Sequence, residues 1–285
     1  MAVAKTTKKP TRTAAAKTTS TPAKVKRVAA EKGLFSLGGL FNLNKWFALF
    51  YAAAALAVGL FGSALSVPLQ WSYLAKDELL STNSDPVFGF ATTEVASVNI
   101  VWLLAAWLAL LAVVHILLAT KLRGLYEREV VRGGNTVGWL TGGVLFGYGA
   151  LIVALLVGGY DVSILALALL ASVGAGIAGW LATRTGVQLR AGLALASLLG
   201  ALPWLVVILL VAGSLIYGSA ALPVVAYVVA GTGVVMGLAL GVITWLGYAK
   251  KGAFAKPVAT EALFTIVTFV FVLALAGEIF AGYLW

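Results

Sequence analysis

The chain has 285 residues, of which 61% are hydrophobic and only 11% are charged, and its mean hydropathy is +1.02. Soluble domains carry about a quarter charged residues, so this composition excludes a soluble core and predicts a protein that folds in the lipid bilayer. The chain has no cysteine and one histidine, His115. Disulfide scaffolds, thiolate zinc sites, catalytic thiols and histidine-rich metal clusters are therefore excluded.

The formal net charge of +10 is concentrated at the start of the chain, because nine of the 20 Lys and Arg residues precede Leu34. Residues 1–32 are mainly Ala, Thr, Lys and Pro, with no aromatic residue and no leucine. We therefore expect a disordered basic cytoplasmic arm. Attraction of this arm to anionic lipid is favoured over nucleic-acid binding, because the arm lacks the aromatic side chains on which bases stack.

The rest of the chain is predicted to form a short interfacial segment followed by a membrane domain. Residues 33–45 are apolar, but Gly38 and Gly39 interrupt them and they are too short to cross a bilayer, so we expect them in the headgroup layer. Residues 46–285 hold seven apolar runs of about twenty residues, enough to cross ~30 Å of hydrocarbon. This pattern predicts an all-α bundle of seven transmembrane helices. The predicted spans are 46–67, 98–120, 137–158, 162–183, 191–213, 222–248 and 262–284.

The distribution of positive charge predicts the orientation of this bundle. An odd number of spans places the termini on opposite sides, and Lys76 is then the one Lys or Arg of the 20 that falls on the outer side. The positive-inside rule places the N-terminus in the cytoplasm and the C-terminus outside, and we expect the plasma (inner) membrane as the location. The outer connection 68–97 is unusually long and contains several aromatic residues, so we expect it to have structure of its own.

Few polar groups in or near the spans could carry chemistry. His115 is interpreted as a neutral histidine satisfied by one hydrogen bond between helices, rather than as a proton-handling group. Glu278 lies close enough to the interface to be hydrated, and Asp161 is interpreted as a turn residue or helix N-cap. The sequence has no paired carboxylates, no nucleophile placed beside a base and no phosphate-binding loop, so we expect neither an enzyme nor a metal site.

Glycine recurs at every fourth residue in two of the predicted spans. Small residues at this spacing let helix backbones approach closely, so close packing is favoured over a ligand cavity. The glycines concerned are Gly138, Gly142, Gly143 and Gly147 in the third span and Gly233, Gly237 and Gly241 in the sixth.

Short sequence patterns recur in a consistent order along residues 43–284. They are Leu56-Ala57-Val58, Leu111 to His115, Trp139 to Gly158 with Asp161, Gly179-Trp180-Leu181, Pro203-Trp204, Pro223 with Tyr227, Tyr248, and Glu261 with Ile279-Phe280 and Gly282. Together they resemble the heliorhodopsins, seven-helix retinal proteins whose N-terminus lies inside. The resemblance implies the same bundle and a homodimer in which the long first outer loop forms part of the contact.

The chain departs from this family at the residues of the retinal pocket. The resemblance places the family's Schiff-base lysine at Val272, its counterion at Thr141, a histidine of the first helix at Tyr51 and an asparagine of the sixth helix at Leu238; only His115 remains of the polar pocket. An alkyl side chain cannot form an imine, so no covalent retinal is expected. Loss of the counterion agrees with this, because a buried carboxylate without its cation is strongly destabilising.

We therefore expect a retinal-free, non-photochemical relative that acts through protein contacts, as a scaffold or signalling modulator. Its expected partners are membrane lipid, a second copy of the chain and a further protein. Two alternatives remain open from the sequence. The protein could be a small ligand carrier or permease that uses the vacated retinal cavity, with His115 and Glu278 as its polar groups, or it could bind retinal or a carotenoid noncovalently.

Overall fold

The computed structural model describes residues 33–82, 85–185, 189–219 and 221–285, so the arm expected at 1–32 lies outside the described residues. Seven helices in this part of the chain are long and apolar enough to cross a membrane, which confirms the predicted seven-helix bundle. The helices, with α3 as the short one, are α1 (Leu37–Phe61), α2 (Ile100–Ala119), α3 (Arg123–Val131), α4 (Thr136–Leu156), α5 (Val162–Thr185), α6 (Leu189–Tyr217), α7 (Val224–Tyr248) and α8 (Pro257–Ile279). A 3₁₀ turn at Gly252–Ala255 precedes α8 and a π-helical turn at Phe280–Leu284 follows it.

The two ends of the bundle differ in composition. We call the end that carries the start of α1, helix α3 and the α7–α8 connection the basic end. A small apolar cluster joins these elements there, with Leu40, Tyr126 and Ala262 among its buried members. We call the opposite end, where the strands lie, the hairpin end. The main apolar core lies between the two ends and draws on α1, α2, α4, α6, α7 and α8.

The first helix begins earlier than the sequence predicted. Ser36 caps α1 by accepting the backbone N–H of Gly39 at 3.0 Å, and the helix then continues unbroken to Phe61. A Cβ at Gly39 would stand 2.5 Å from the carbonyl oxygen of Leu34, so the glycine allows the preceding chain to fold over the first turn. The helix therefore begins at Leu37 and not near residue 46, because Gly38 and Gly39 begin it and do not interrupt it. The placement of residues 33–45 in the headgroup layer stays a prediction.

The long connection between the first two spans is a β-hairpin, which confirms that it has structure of its own. Strands β1 (Ser66–Lys76) and β2 (Phe88–Asn99) pair antiparallel, with a register shift between Leu69 and Gln70. β1 occupies the residues that were expected to end the first span. Asn99 ends β2 and caps α2 by accepting the backbone N–H of Val101 at 2.9 Å, so the strand passes directly into the helix.

Tryptophan rings pack against glycines of neighbouring helices. A Cβ at Gly149 of α4 would stand 2.6 Å from the ring of Trp107 on α2, and one at Gly237 of α7 would stand 3.1 Å from Trp204 on α6. The Trp107 Nε1–H also donates to the Leu145 carbonyl at 2.7 Å, which satisfies the polar atom of this buried ring. The contact at Gly149 requires the absence of a side chain, whereas a Cβ at Gly237 would need a small shift of the Trp204 ring.

Close packing is thus confirmed for part of the glycine pattern and is wrong for the rest. Gly143 lies against the backbone of α5, and Gly147 lies against Ser172 on the same helix. Gly241 has open space where a Cβ would stand. The nearest group to Gly142 is Phe146 of its own helix, and Gly138 meets only its capping residue, Asn135.

Candidate functional site

The one histidine of the chain lies in a polar contact between the first two helices. His115 on α2 is buried, and its Nδ1 is 2.7 Å from Oδ1 of Asn44 on α1. Asn44 uses its amide nitrogen to donate to the Leu40 carbonyl at 2.9 Å, so its oxygen is the acceptor and His115 Nδ1–H is the donor. The interpretation of His115 as a histidine satisfied by one bond between helices is confirmed.

Aromatic rings from α1 and α8 surround His115. The Tyr51 ring lies 5.4 Å from the imidazole between centroids, and Phe47 meets the imidazole edge-on at 6.0 Å. Phe269 of α8 stacks on Phe47 at 3.8 Å and contacts Tyr51 at 5.4 Å. The Tyr51 hydroxyl and the hydroxyl of Thr268 are both buried and have no hydrogen-bond partner among the described residues. The structure therefore brings Tyr51 and His115 together.

A second polar group lies at the start of α8. Glu261 Oε1 accepts from the Tyr126 hydroxyl at 2.8 Å and from the Asn135 amide at 2.6 Å, which ties α8 to α3 and to the cap of α4. Burial raises the pKa of Tyr126 well above its usual range, so this phenol remains a neutral donor. Tyr126 and Asn44 line the same small cavity of about 10 Å³, the space of one water molecule.

These five side chains form a polar cluster at the basic end that the sequence did not reveal. Its members are Asn44, His115, Tyr126, Asn135 and Glu261. Two signals in the sequence pointed towards it: Asn44 is a polar residue within the first apolar run, and Glu261 is an acidic residue that opens the last one. The cluster joins five elements at one end of the bundle through side-chain hydrogen bonds, namely α1, α2, α3, the cap of α4 and α8.

The remaining pocket candidates do not form a polar site. Val272 on α8 is fully buried, and the Thr141 hydroxyl donates to the Val137 carbonyl of its own helix at 2.6 Å. Leu238 is 67% exposed, so its assignment to a pocket is wrong. The reason is the helical period, because the inward-facing Met236 and Leu240 lie two residues to either side of it, about 200° around α7.

Two acidic residues lie towards the hairpin end. Glu278 Oε1 accepts from the Thr232 hydroxyl of α7 at 2.9 Å, while its Oε2 is buried without a partner among the described residues. The hydration of this carboxylate stays a prediction. Asp161 accepts the backbone N–H of Ser163 at 2.8 Å and of Ile164 at 3.2 Å, which confirms the predicted N-cap. It also accepts the Ser72 backbone N–H at 3.1 Å and so ties the hairpin to α5. Hydrogen bonding, chiefly from the Ser72 side chain, holds the pKa of Asp161 below its usual value.

Val272 is fully buried in the apolar core, where Leu275, Met236 and Trp204 belong to the same cluster. Two hollows of the described chain lie at the basic end. Neither hollow includes Val272, His115 or Thr141 among its lining residues.

Comparison with known protein families identifies the family of this bundle. The family model described as Heliorhodopsin matches residues 40–284, which covers nearly all of the seven-helix domain. The chain belongs to the heliorhodopsin family. Heliorhodopsins usually bind retinal. A search of curated proteins gives no match.

The described spans of this heliorhodopsin have no lysine in their interior. The one lysine within the seven described spanning helices is Lys45, which is exposed near the basic end of α1. The position that resembles the family's lysine carries Val272, whose alkyl side chain is packed among apolar neighbours. An imine needs an amine nitrogen, and no interior side chain of the described heliorhodopsin spans supplies one.

Proposed function

We propose that this heliorhodopsin-family protein forms no covalent retinal pigment and acts in the membrane as a non-photochemical scaffold or signalling modulator, through contacts with other proteins. The observation that supports the proposal most directly is the fully buried Val272, at the place where the family resemblance puts the reactive lysine. Thr141 agrees with it, because its hydroxyl is bonded within its own helix and supplies no carboxylate for a cation.

Retinal addition to membranes that contain the protein tests this proposal. The unmodified protein should give no visible band that borohydride reduction abolishes and no retinyl adduct by mass spectrometry. The Lys45→Gln variant serves as control, because it removes the one amine within the spans without touching the interior. A reducible band or a retinyl adduct in the unmodified protein would overturn the proposal, and loss of that band in Lys45→Gln would assign the imine to Lys45.

Two gain-of-function variants probe the interior itself. Val272→Lys supplies an amine, but its Schiff base lacks a carboxylate partner, so we expect a pigment with a depressed Schiff-base pKa and little visible absorption. Adding Thr141→Glu should increase the visible absorption at neutral pH. Failure of both variants to take up retinal would show that packing has closed the pocket. That result would also count against a ligand carrier or a noncovalent polyene binder in the same space.

The contact surface that we propose for a second copy of the chain is the β-hairpin. Leu74 and Phe90 lie opposite each other in the strand register, and they are 64% and 87% exposed. Paired apolar side chains this exposed are typical of residues that a partner covers. The expected assembly is a homodimer.

Mass measurement in detergent tests the dimer. Phe90→Asp should convert the dimer to a monomer, because it places a charge in the proposed apolar contact. Thr93→Asp is the matched control, since Thr93 is exposed on the same strand but lies on the other face of the hairpin. A monomeric unmodified protein, or equal loss of dimer in both variants, would contradict this contact.

We also propose that the basic end faces the cytoplasm and that the protein resides in the plasma membrane. Support comes from the distribution of Lys and Arg across the seven spans. The chain has no cysteine, so single cysteines can be labelled without background. Thr92→Cys in the hairpin should react with a membrane-impermeant maleimide in intact cells, whereas Lys251→Cys should react only after permeabilisation. The reverse pattern would invert the orientation.

A further inference from the structure

An apolar groove opens at the basic end beside the start of α8. Its lining comes from three places in the chain: Phe35 before α1, Ala253 and Phe254 in the 3₁₀ turn, and Ala259 with Leu263 on α8. All five side chains are apolar, and the groove has a volume of about 90 Å³. This is space for a few methylenes of a chain and far too little for a whole lipid.

Three lysines flank one of the segments that line this groove. Lys251 and Lys256 bracket the 3₁₀ turn that supplies two of the lining residues, and Lys250 precedes them; all three side chains are exposed. The nearest acidic residue along the chain is Glu261, two residues from both Ala259 and Leu263 and therefore on the opposite face of α8. Its carboxylate is bonded to α3 and to the α4 cap, so it does not neutralise the lysines.

The backbone of Lys250 adds an independent observation. Its φ is 50°, and Lys250 is the one non-glycine residue of the described chain in the left-handed region. It follows Ala249, the C-cap residue of α7, at the position where glycine is favoured because a Cβ is disfavoured there. Lys250 therefore has a strained backbone at a position where glycine would have none. Backbone strain of this kind is often found at functional sites.

We propose that this groove is a binding site for an anionic phospholipid. Lys251 and Lys256, with Lys250, bind the phosphate of the headgroup, and the apolar lining holds the first methylenes of one acyl chain. The charge of the groove favours an anionic lipid over a zwitterionic one, since basic pockets between membrane helices attract phosphate headgroups that carry net negative charge. The proposal depends neither on the orientation of the bundle nor on the absence of retinal.

Lipid retention measured by native mass spectrometry tests the site. The full-length protein is released from nanodiscs that contain equal amounts of phosphatidylglycerol and phosphatidylcholine of the same chain length, and should retain phosphatidylglycerol preferentially. Lys251→Gln with Lys256→Gln should weaken this retention by about fivefold for each lysine removed. The control removes two exposed charges elsewhere at the same end, Lys121→Gln with Arg190→Gln, and should retain phosphatidylglycerol as the unmodified protein does. Equal retention in the two double variants, or no lipid preference in the unmodified protein, would overturn the proposal.

Two further arms separate the acyl chain from the phosphate. Ala259→Phe fills the groove and should lower phosphatidylglycerol retention severalfold while leaving all the lysines in place; unchanged retention would contradict the acyl-chain contact. Excess inorganic phosphate should not release the bound lipid. Release by phosphate would show that the lysines bind a free anion, and would overturn the assignment to lipid.

Discussion

Alanine substitution at three glycines of α7 should have three different effects, although the residues occur at a regular spacing of four. Gly233 and Gly237 lie under the ring of Trp204, whereas Gly241 is exposed and has nothing within 4 Å of the place where a Cβ would stand. The same chemical change therefore inserts a methyl group into a tight contact, a moderately tight contact and open space.

The magnitudes follow from the space at each glycine. A Cβ at Gly233 would overlap the six-membered ring of Trp204, so Gly233→Ala should destabilise the bundle by about 1–3 kcal/mol. At Gly237 the nearest ring atom stands 3.1 Å away and a small shift of the ring relieves the contact, so the change should be about 1 kcal/mol or less. Gly241→Ala should stabilise the helix by about 0.5–1 kcal/mol, because alanine has the higher helix propensity and loses less backbone entropy.

Unfolding of the three variants in detergent micelles, followed by circular dichroism against rising SDS, gives their order of stability. The expected order is Gly241→Ala above the unmodified protein, then Gly237→Ala, then Gly233→Ala. Equal effects at all three positions would refute the packing of Trp204 against α7. A further check is Trp204→Leu with Gly233→Ala, which should be less harmful than the sum of the single changes because the ring has been removed.

Three further predictions concern substitutions of single polar residues. Asp161→Ala should destabilise the fold by about 1–2 kcal/mol through loss of the cap, whereas Asp161→Asn keeps most of the cap and removes the titration. Hydrogen bonds lower the pKa of Asp161 from its ordinary value of 3.8. The ionised carboxylate therefore stabilises the fold above pH 3.8, and this stabilisation is lost as pH falls through the lowered pKa. In acid unfolding, the stability difference between the unmodified protein and Asp161→Asn should shrink below about pH 3.8. Lys250→Gly should raise the free energy of unfolding by about 1 kcal/mol while it lowers phosphatidylglycerol retention, and parallel changes in the two measurements would contradict the strain argument. Asn44→Leu should cost about 1–3 kcal/mol by leaving the buried His115 N–H unpaired, and adding His115→Leu should recover part of that loss in a double-mutant cycle.

The spans could be predicted from sequence because the bilayer imposes one length on every crossing segment. Six of the seven predicted ranges agree with the observed helices to within a few residues at most ends. The first range failed at both ends for local reasons. Gly38 and Gly39 are helix breakers by propensity, yet Ser36 supplies the cap and Leu40 packs against α3 and α8, so tertiary contact overrides propensity.

The hairpin illustrates a second limit. The length and aromatic content of 68–97 indicated order, but the pattern did not indicate strands. One reason is that Leu74 and Phe90 are apolar yet exposed, which obscures the alternation that a half-buried strand shows. The other is that attachment to Asp161, 89 residues away from Ser72, is a tertiary contact that no local pattern encodes.

The polar cluster was only partly predictable for a related reason. His115 stood out because it is the one histidine in an apolar helix. Tyr126 and Asn135 lie in the connection between the second and third predicted spans. The positive charge of this connection was interpreted as an orientation signal, so nothing in the sequence marked these two residues as members of a polar cluster. Leu238 was placed in a pocket through the family resemblance. The buried residues of α7 do not include it, so a matching position in the sequence did not predict which side of the helix Leu238 occupies.

β2 ends at Asn99 and α2 begins at Ile100, so the hairpin is joined directly to the helix. No residue separates the two elements, so a tilt of the hairpin would also tilt the first turn of α2. His115 lies 15 residues along that helix, about 22 Å from the joint. One continuous helix therefore connects the hairpin to the hydrogen bond between His115 and Asn44, which lies close to the opposite end of the bundle.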